Sequence, residues 1–242
     1  MAGHSKWANI RHRKAAVDAK KNKVLSKHSK ILMIIGKTDP NPDTNAALRT
    51  AIANAKADNV PNDNIKRILK KLSGEGKDGA VYQEMVYECY APAGVPVIIT
   101  AITDNNNRTF SDIRTAVEKS GGTMGSTGSV GYMFDHIGVV YIKTEGKTED
   151  EIFEIVINAG ADDFTYDAEE CEITCGFKAL GGVRKSLEEM NMPITKSETQ
   201  YRAKDAKLIN DEEKLEKIEK FYDRVNDVDD VDEIFMGYVD SQ

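Results

Sequence analysis

Val139–Arg202 reads VVYIKTEGKTEDEIFEIVINAGADDFTYDAEECEITCGFKALGGVRKSLEEMNMPITKSETQYR, and this stretch decides the fold. Strand-forming residues at Val139–Lys143 lead into a helix over Glu149–Ala159. Short strands are expected near Asp163–Tyr166 and Cys171–Cys175, a helix over Phe177–Met190, and a last strand over Thr195–Arg202. The order β-α-β-β-α-β is that of a ferredoxin-like unit.

Upstream lies a second, incomplete unit. Met85–Tyr90 and Val95–Thr103 are strands joined by APAG, and Asn105–Asn107 form a polar turn. A helix over Thr109–Lys119 stops at Gly121–Gly122, and Val130–Phe134 reads as a short strand. This β-β-α-β run lacks a helix and a closing strand. The tail offers both, as a helix over Asp211–Asn226 and a strand over Val231–Val239. One α/β domain is therefore expected to be interrupted by the other.

The first 75 or so residues read differently. Residues 4–12 are irregular or only partly helical, and Arg13–Ile35 has helical periodicity, with Val24, Leu25, His28, Ile31, Leu32 and Ile35 on one stripe. Lysines occupy the rest of that circumference, and His28 reads as a core histidine. A proline-bearing turn (Thr38–Thr44) precedes a second helix, Asn45–Asp58. Val60–Pro61 then separates it from a third, which runs to about Leu72. SGEGKDG (Ser73–Gly79) is a linker by composition. The expected architecture is multidomain α+β: a basic three-helix domain (1–77), a discontinuous α/β domain (78–134 plus 206–242), and an inserted α/β domain (135–205), both of ferredoxin-like character.

Charge divides along the same lines. Residues 1–77 hold 17 Lys or Arg against six acids, a balance of +11, while residues 78–242 hold 16 against 34. The chain as a whole is −7, so a strongly basic start is hidden in the total. A local positive field of this kind attracts polyanions, and DNA, rRNA or the ribosome are the expected partners. The candidate contacts are Lys6, Trp7, Arg11, His12, Arg13, Lys14, Lys20, Lys21, Lys23 and Lys27, with Lys66, Arg67 and Lys70 on the third helix and Arg108 in TDNNNRT. Lysines and arginines contact phosphate and position the ligand without reading bases. Trp7 can stack on a base or pin the N-terminal arm to the bundle. Arg108 sits near a helix start, where a cation is unfavourable; it points to a phosphate partner or to a contact with Glu88 or Asp104. The 12 acids from Asp211 onward either solubilise the tail or steer nucleic acid toward the basic domain.

Several classes are disfavoured. No apolar run approaches the ~20 residues of a membrane span. Three cysteines give no disulfide framework and fit a reducing, cytoplasmic setting. Cys171 and Cys175 share a strand face with Ile173 and read as packing. No HExxH or related metal pattern is present, and GGTMGSTGSVG lacks the GK[ST] of a phosphate loop. No catalytic residue, metal or cofactor is expected, and a metal-independent enzyme is the remote alternative. The short connection AKADNVPND suits a helix-turn-helix in length alone, and helix 3, with Asn64, Lys66, Arg67 and Lys70, permits base contact without forming a specific operator code. Oligomeric state is open, and a monomer is compatible with the sequence.

The opening MAGHSKWANIRHRKAAVDAKK, with YECYAPAG (Tyr87–Gly94), TDNNNRT (Thr103–Thr109) and GGTMGSTGSVGYMF (Gly121–Phe134), resembles the YebC/PmpR family, which also includes the mitochondrial translational activator of cytochrome oxidase. The resemblance covers essentially the full length. It implies a helical domain and two α/β domains, the middle one completed by the C-terminus. It also implies a non-enzymatic regulator of gene expression, a DNA-binding transcriptional regulator or a ribosome-associated translation factor. The chain departs from the family pattern at Asn22, where glycine is frequent, at Ala46, where proline is frequent, and in the short Lys37–Thr38 connection.

Overall fold

A computed structural model describes residues 20–75 and 81–240. The expected irregular start, Arg13–Ala19 and part of the glycine-rich linker lie outside the described residues. Helix α1 spans Lys20–Gly36, α2 spans Ala46–Ala57 and α3 spans Asn62–Lys70, the last continued by a wider turn over Lys71–Glu75. Asn45 starts α2 by accepting a hydrogen bond from the Leu48 backbone N–H at 3.0 Å. Leu32, Leu48, Ala51, Ala55, Val60, Ile65 and Ile68 meet in one core. Gly36 does more than stop α1: it lies against the Leu72 side chain, and a Cβ there would come within 2.4 Å of the Leu72 Cδ1 and force that side chain to shift.

The first sheet begins with the hairpin β1 (Gln83–Ala91) and β2 (Val95–Thr103), paired antiparallel from Gln83↔Thr103 to Ala91↔Val95. Helix α4 (Asn106–Lys119) follows, and two-residue β3 (Thr123–Met124) adds to the edge beside β1. The chain then leaves this sheet.

Val130–Phe134 is not a strand of the first unit, contrary to the sequence expectation. Gly131–Met133 forms a 3-10 turn, and Phe134 opens the ten-residue strand β4 (Phe134–Lys143) of the second sheet. The reason is a carboxylate. Glu88 accepts from the backbone N–H groups of Gly128, Val130 and Gly131, each at 2.7 Å. Donors spent on a side chain cannot join a strand ladder.

The inserted unit continues as α5 (Glu149–Ala159), β5 (Asp163–Thr165), β6 (Glu170–Gly176), α6 (Leu180–Glu189) and β7 (Ile194–Ala203). Its sheet order, β5-β6-β4-β7, is the ferredoxin-like arrangement, with every neighbour antiparallel. Thr148 and Glu151 form a reciprocal cap at the start of α5. Val140, Ile142, Ile152, Val156, Cys171, Ile173, Cys175, Val183 and Leu187 make its core, so both cysteines of this unit are packed and neither forms a disulfide.

The tail then returns to the first sheet. A short strand β8 (Lys207–Ile209) precedes α7 (Glu212–Asn226), and β9 (Val231–Met236) closes the sheet beside β2, in the order β3-β1-β2-β9. Phe221, Ile218 and Val225 of α7 are fully buried against Ile113, Val117, Val97 and Ile99. The expected single strand Val231–Val239 is instead two. The backbone breaks at Gly237, where a Cβ would sit 2.8 Å from Pro96 and where the N–H bonds the Pro96 carbonyl at 2.9 Å. β10 (Tyr238–Asp240) then pairs parallel with β8. Ile98, Val130, Phe134 and Phe235 form a further core with Tyr201, locking the two sheets together.

Truncating the side chain of Phe221, which is wholly buried, removes the main wedge between the tail and the first sheet. Phe221→Ala is expected to cost about 3–5 kcal/mol of stability. Urea unfolding followed by circular dichroism measures this, and a loss below about 1 kcal/mol would contradict the packing role.

Candidate nucleic-acid interface

Two stripes run along α1. Leu25, Leu32 and Ile35 belong to the bundle core, and His28, only 4% exposed, joins them by bonding Asp58 Oδ2 through Nε2 at 2.7 Å. Lys23, Lys27 and Lys30 recur at steps of four and three on another face. They meet the acidic turn between α7 and β9.

Lys23 donates to the carbonyl and side chain of Asn226. Burial lowers its pKa, opposed by the nearby Asp227. Lys27 lies 2.7 Å from Glu233 Oε1 and 3.0 Å from Asp232 Oδ1. Burial works against its charge, but these two carboxylates outweigh burial and raise its pKa. Asp232 is pushed the other way: desolvation raises its pKa more than Lys27 lowers it. Lys30 donates to Asp230 Oδ1 at 2.7 Å and to the Ile102 carbonyl at 3.1 Å.

Asp230 is the hub of this contact. Besides Lys30 it accepts from Arg108 Nη2 at 2.9 Å, Thr109 Oγ1 at 2.7 Å and Thr103 Oγ1 at 3.3 Å. Burial alone would raise its pKa; Lys30, Arg108 and Thr109 overcome that and hold the carboxyl far below the usual range. Arg108 also reaches Asp104 at 3.0 Å. Its position in the first turn of α4 is thus explained by two carboxylates, one of them the Asp104 contact weighed from sequence. Glu88 instead serves the glycine-rich loop.

The expectation of an outward lysine circumference on α1 is therefore corrected at Lys23 and Lys27, which turn toward the C-terminal acids. Sequence reasoning missed Lys30, Asp230, Asp232 and Glu233. The available signal was charge complementarity between the basic start and the acidic tail, but about 200 positions separate the partners, and no local pattern sets their register.

The outer face of the helical unit is different. Lys66, Arg67 and Lys70 are exposed on α3, while Ile65 and Ile68 face the core. Lys66 and Arg67 make no ion pair with any described residue. Lys56, Asn59 and Asn62 line an open depression at the α2–α3 turn with Val60 and Pro61. Lys6, Trp7, Arg11, His12, Arg13 and Lys14 lie outside the described residues, as do the side chains of Lys20 and Lys21.

Two acids of the inserted unit have local duties. Asp162 accepts from the Gly176 N–H at 2.8 Å, and Glu170 accepts from the Thr195 hydroxyl at 2.8 Å. Among the described residues no group of three or more His, Cys, Asp or Glu is placed to hold a metal ion, and no helix is long and apolar enough to cross a membrane.

Two family models match, the TACO1/YebC N-terminal domain over residues 5–75 and the TACO1/YebC second and third domain over residues 82–238. The chain belongs to the TACO1/YebC family. Curated relatives agree. A probable transcriptional regulatory protein of Latilactobacillus sakei is 48% identical over 192 residues, covering 78% of each chain. One of Enterococcus faecalis is 42% identical over 217 residues, covering 88% of this chain and 89% of the relative. A crystal structure of a conserved hypothetical protein from Aquifex aeolicus matches with a TM-score of 0.84 and 36% identity, over 98% of both chains.

Replacing Asp230 leaves the largely buried Lys30 and the half-exposed Arg108 facing each other with no carboxylate between them. Asp230→Ala is expected to cost about 3 kcal/mol, and Arg108→Ala distinctly less because the guanidinium is half exposed. The pH dependence has a definite sign. A carboxyl held below its unfolded value contributes fully above about pH 4. That contribution fades as pH falls through the lower folded value. The gap in urea midpoint between wild type and Asp230→Asn should accordingly be widest near neutrality and narrow in acid; a gap that widened in acid would contradict the assignment.

Proposed function

We propose that this protein is a non-enzymatic, nucleic-acid-binding regulator of gene expression that acts in the cytoplasm. Its binding face is the outer surface of the helical unit together with the basic N-terminal segment. The observation that carries this reading is the division of positive charge. Lys27 and Lys30 are paired internally with carboxylates and Lys23 with Asn226, yet Lys66 and Arg67 remain exposed on α3, and the first 19 residues of the sequence hold four Lys or Arg against one acid. Such groups bind phosphate, and each contact adds about 0.9 to the salt dependence of affinity.

DNA is the first reading of the target, supported by the relatives' printed name, probable transcriptional regulatory protein. A second reading, structured RNA on the ribosome, is favoured by a specific observation. Exposed α3 offers three phosphate ligands, Lys66, Arg67 and Lys70, against Asn62 and Asn64 in its first turn, so backbone contacts outnumber those able to read a base edge. Neither reading involves a cofactor or a metal.

The combined variant Arg11→Glu, Arg13→Glu, Lys66→Glu and Arg67→Glu is expected to lower duplex and ribosome affinity by more than about tenfold and to flatten the salt slope. Filter binding at several salt concentrations measures this, with circular dichroism confirming the fold. Unchanged affinity would defeat the proposal. Co-sedimentation with ribosomes that survives DNase selects the RNA reading, and strong preference for one short duplex over random DNA selects the promoter reading.

A further inference from the structure

Helix α5 has two apolar faces, and the fold uses only one. Ile152, Val156 and Ala159 are buried in the core of the inserted unit. Phe153 and Ile157, one turn apart, are 52% and 57% exposed. Phe164 lies beside them on β5, an edge strand, with its ring centroid 6.2 Å from that of Phe153. Val86, Phe110, Tyr132, Phe177, Met190 and Leu208 are exposed as well, each on a different element or turn. An outward Phe–Ile pair extended by a third apolar side chain is the signature of a contact surface, since single exposed apolar residues need no partner.

The surroundings indicate what that partner is. Glu149, Asp150 and Glu154 of the same helix and Asp163 beside Phe164 are all exposed, and none makes an ion pair with a described residue. Residues 135–205 hold 16 acids against eight Lys or Arg. Nucleic acid and anionic lipid are repelled by such a field. A second copy using the same face would set these acids against each other. A polypeptide with apolar residues at helical spacing and lysines or arginines around them satisfies both parts of the surface.

We propose that the outer face of α5, centred on Phe153 and Ile157 with Phe164 at its side, docks a basic amphipathic segment of a partner protein. The aromatic and aliphatic side chains supply the buried contact, and Glu149, Asp150, Glu154 and Asp163 supply orientation and charge selection. This surface is separate from the basic face of the helical unit, so one molecule can hold a nucleic acid and a basic protein at once.

The test uses the full chain and a fluorescent amphipathic Leu/Lys helical peptide of about 18 residues, with a Leu/Glu peptide of the same pattern as its counterpart. Anisotropy at near-physiological salt should show binding of the Leu/Lys peptide only. Phe153→Gln with Ile157→Gln should weaken it by about tenfold or more, as should Glu149→Lys, Asp150→Lys and Glu154→Lys together. The charge-reversed protein should gain binding of the Leu/Glu peptide, which separates lost recognition from lost folding. Absence of Leu/Lys binding, or binding indifferent to the Phe153 and Ile157 substitutions, overturns the proposal. So does sedimentation showing a dimer that the same double variant dissolves, because the occupant is then a second copy.

Discussion

The assembly depends on one desolvated carboxylate. Asp230 receives an ammonium from α1, a guanidinium and a hydroxyl from α4, and a second hydroxyl from the end of β2. A buried charge is tolerated only when its lone pairs are filled, so four donors from three elements must converge for the turn before β9 to sit where it does. The strand that follows the turn, β9, presents Asp232 and Glu233 to Lys27. The helical unit is thereby held to the first sheet through charge, where the two sheets are held to each other through Phe134, Val130, Ile98 and Phe235.

Glu88 performs a comparable task within the sheet. By collecting three backbone N–H groups it bends Gly128–Gly131 away from strand geometry and aims the chain into β4. The point at which one α/β unit is interrupted by another is thus a satisfied carboxylate in a glycine-rich loop. Asn54 adds a smaller joint: its amide donates to the Ser197 carbonyl at 2.6 Å and so caps part of the outer edge of β7 from the helical unit.

These contacts change the meaning of the charge asymmetry. Part of the basic excess is structural, spent on the acidic tail, and a further part, Lys66 and Arg67, is exposed on α3. The inserted unit presents the opposite sign around an apolar strip on α5. The molecule thus carries exposed positive charge on the helical unit and an acid-rimmed apolar strip on the inserted unit.

Residue order alone determined much of this protein. Hydrophobic period and breaker positions placed the three helices, the β1–β2 hairpin and α5. The succession of elements after Val139 determined the ferredoxin-like unit, and the missing pieces of the first unit foretold the returning tail. The motifs in the opening, in TDNNNRT and in GGTMGSTGSVG located the family. Tertiary structure alone decided three things. It split the last strand at Gly237, where Pro96 leaves no room for a Cβ. It turned Gly131–Met133 into a 3-10 turn because Glu88 claimed the donors. It set Lys23, Lys27 and Lys30 against acids near the other end of the chain. Local patterns record period and propensity, which act over a few residues; close approach and charge pairing act between residues that only the folded chain brings together.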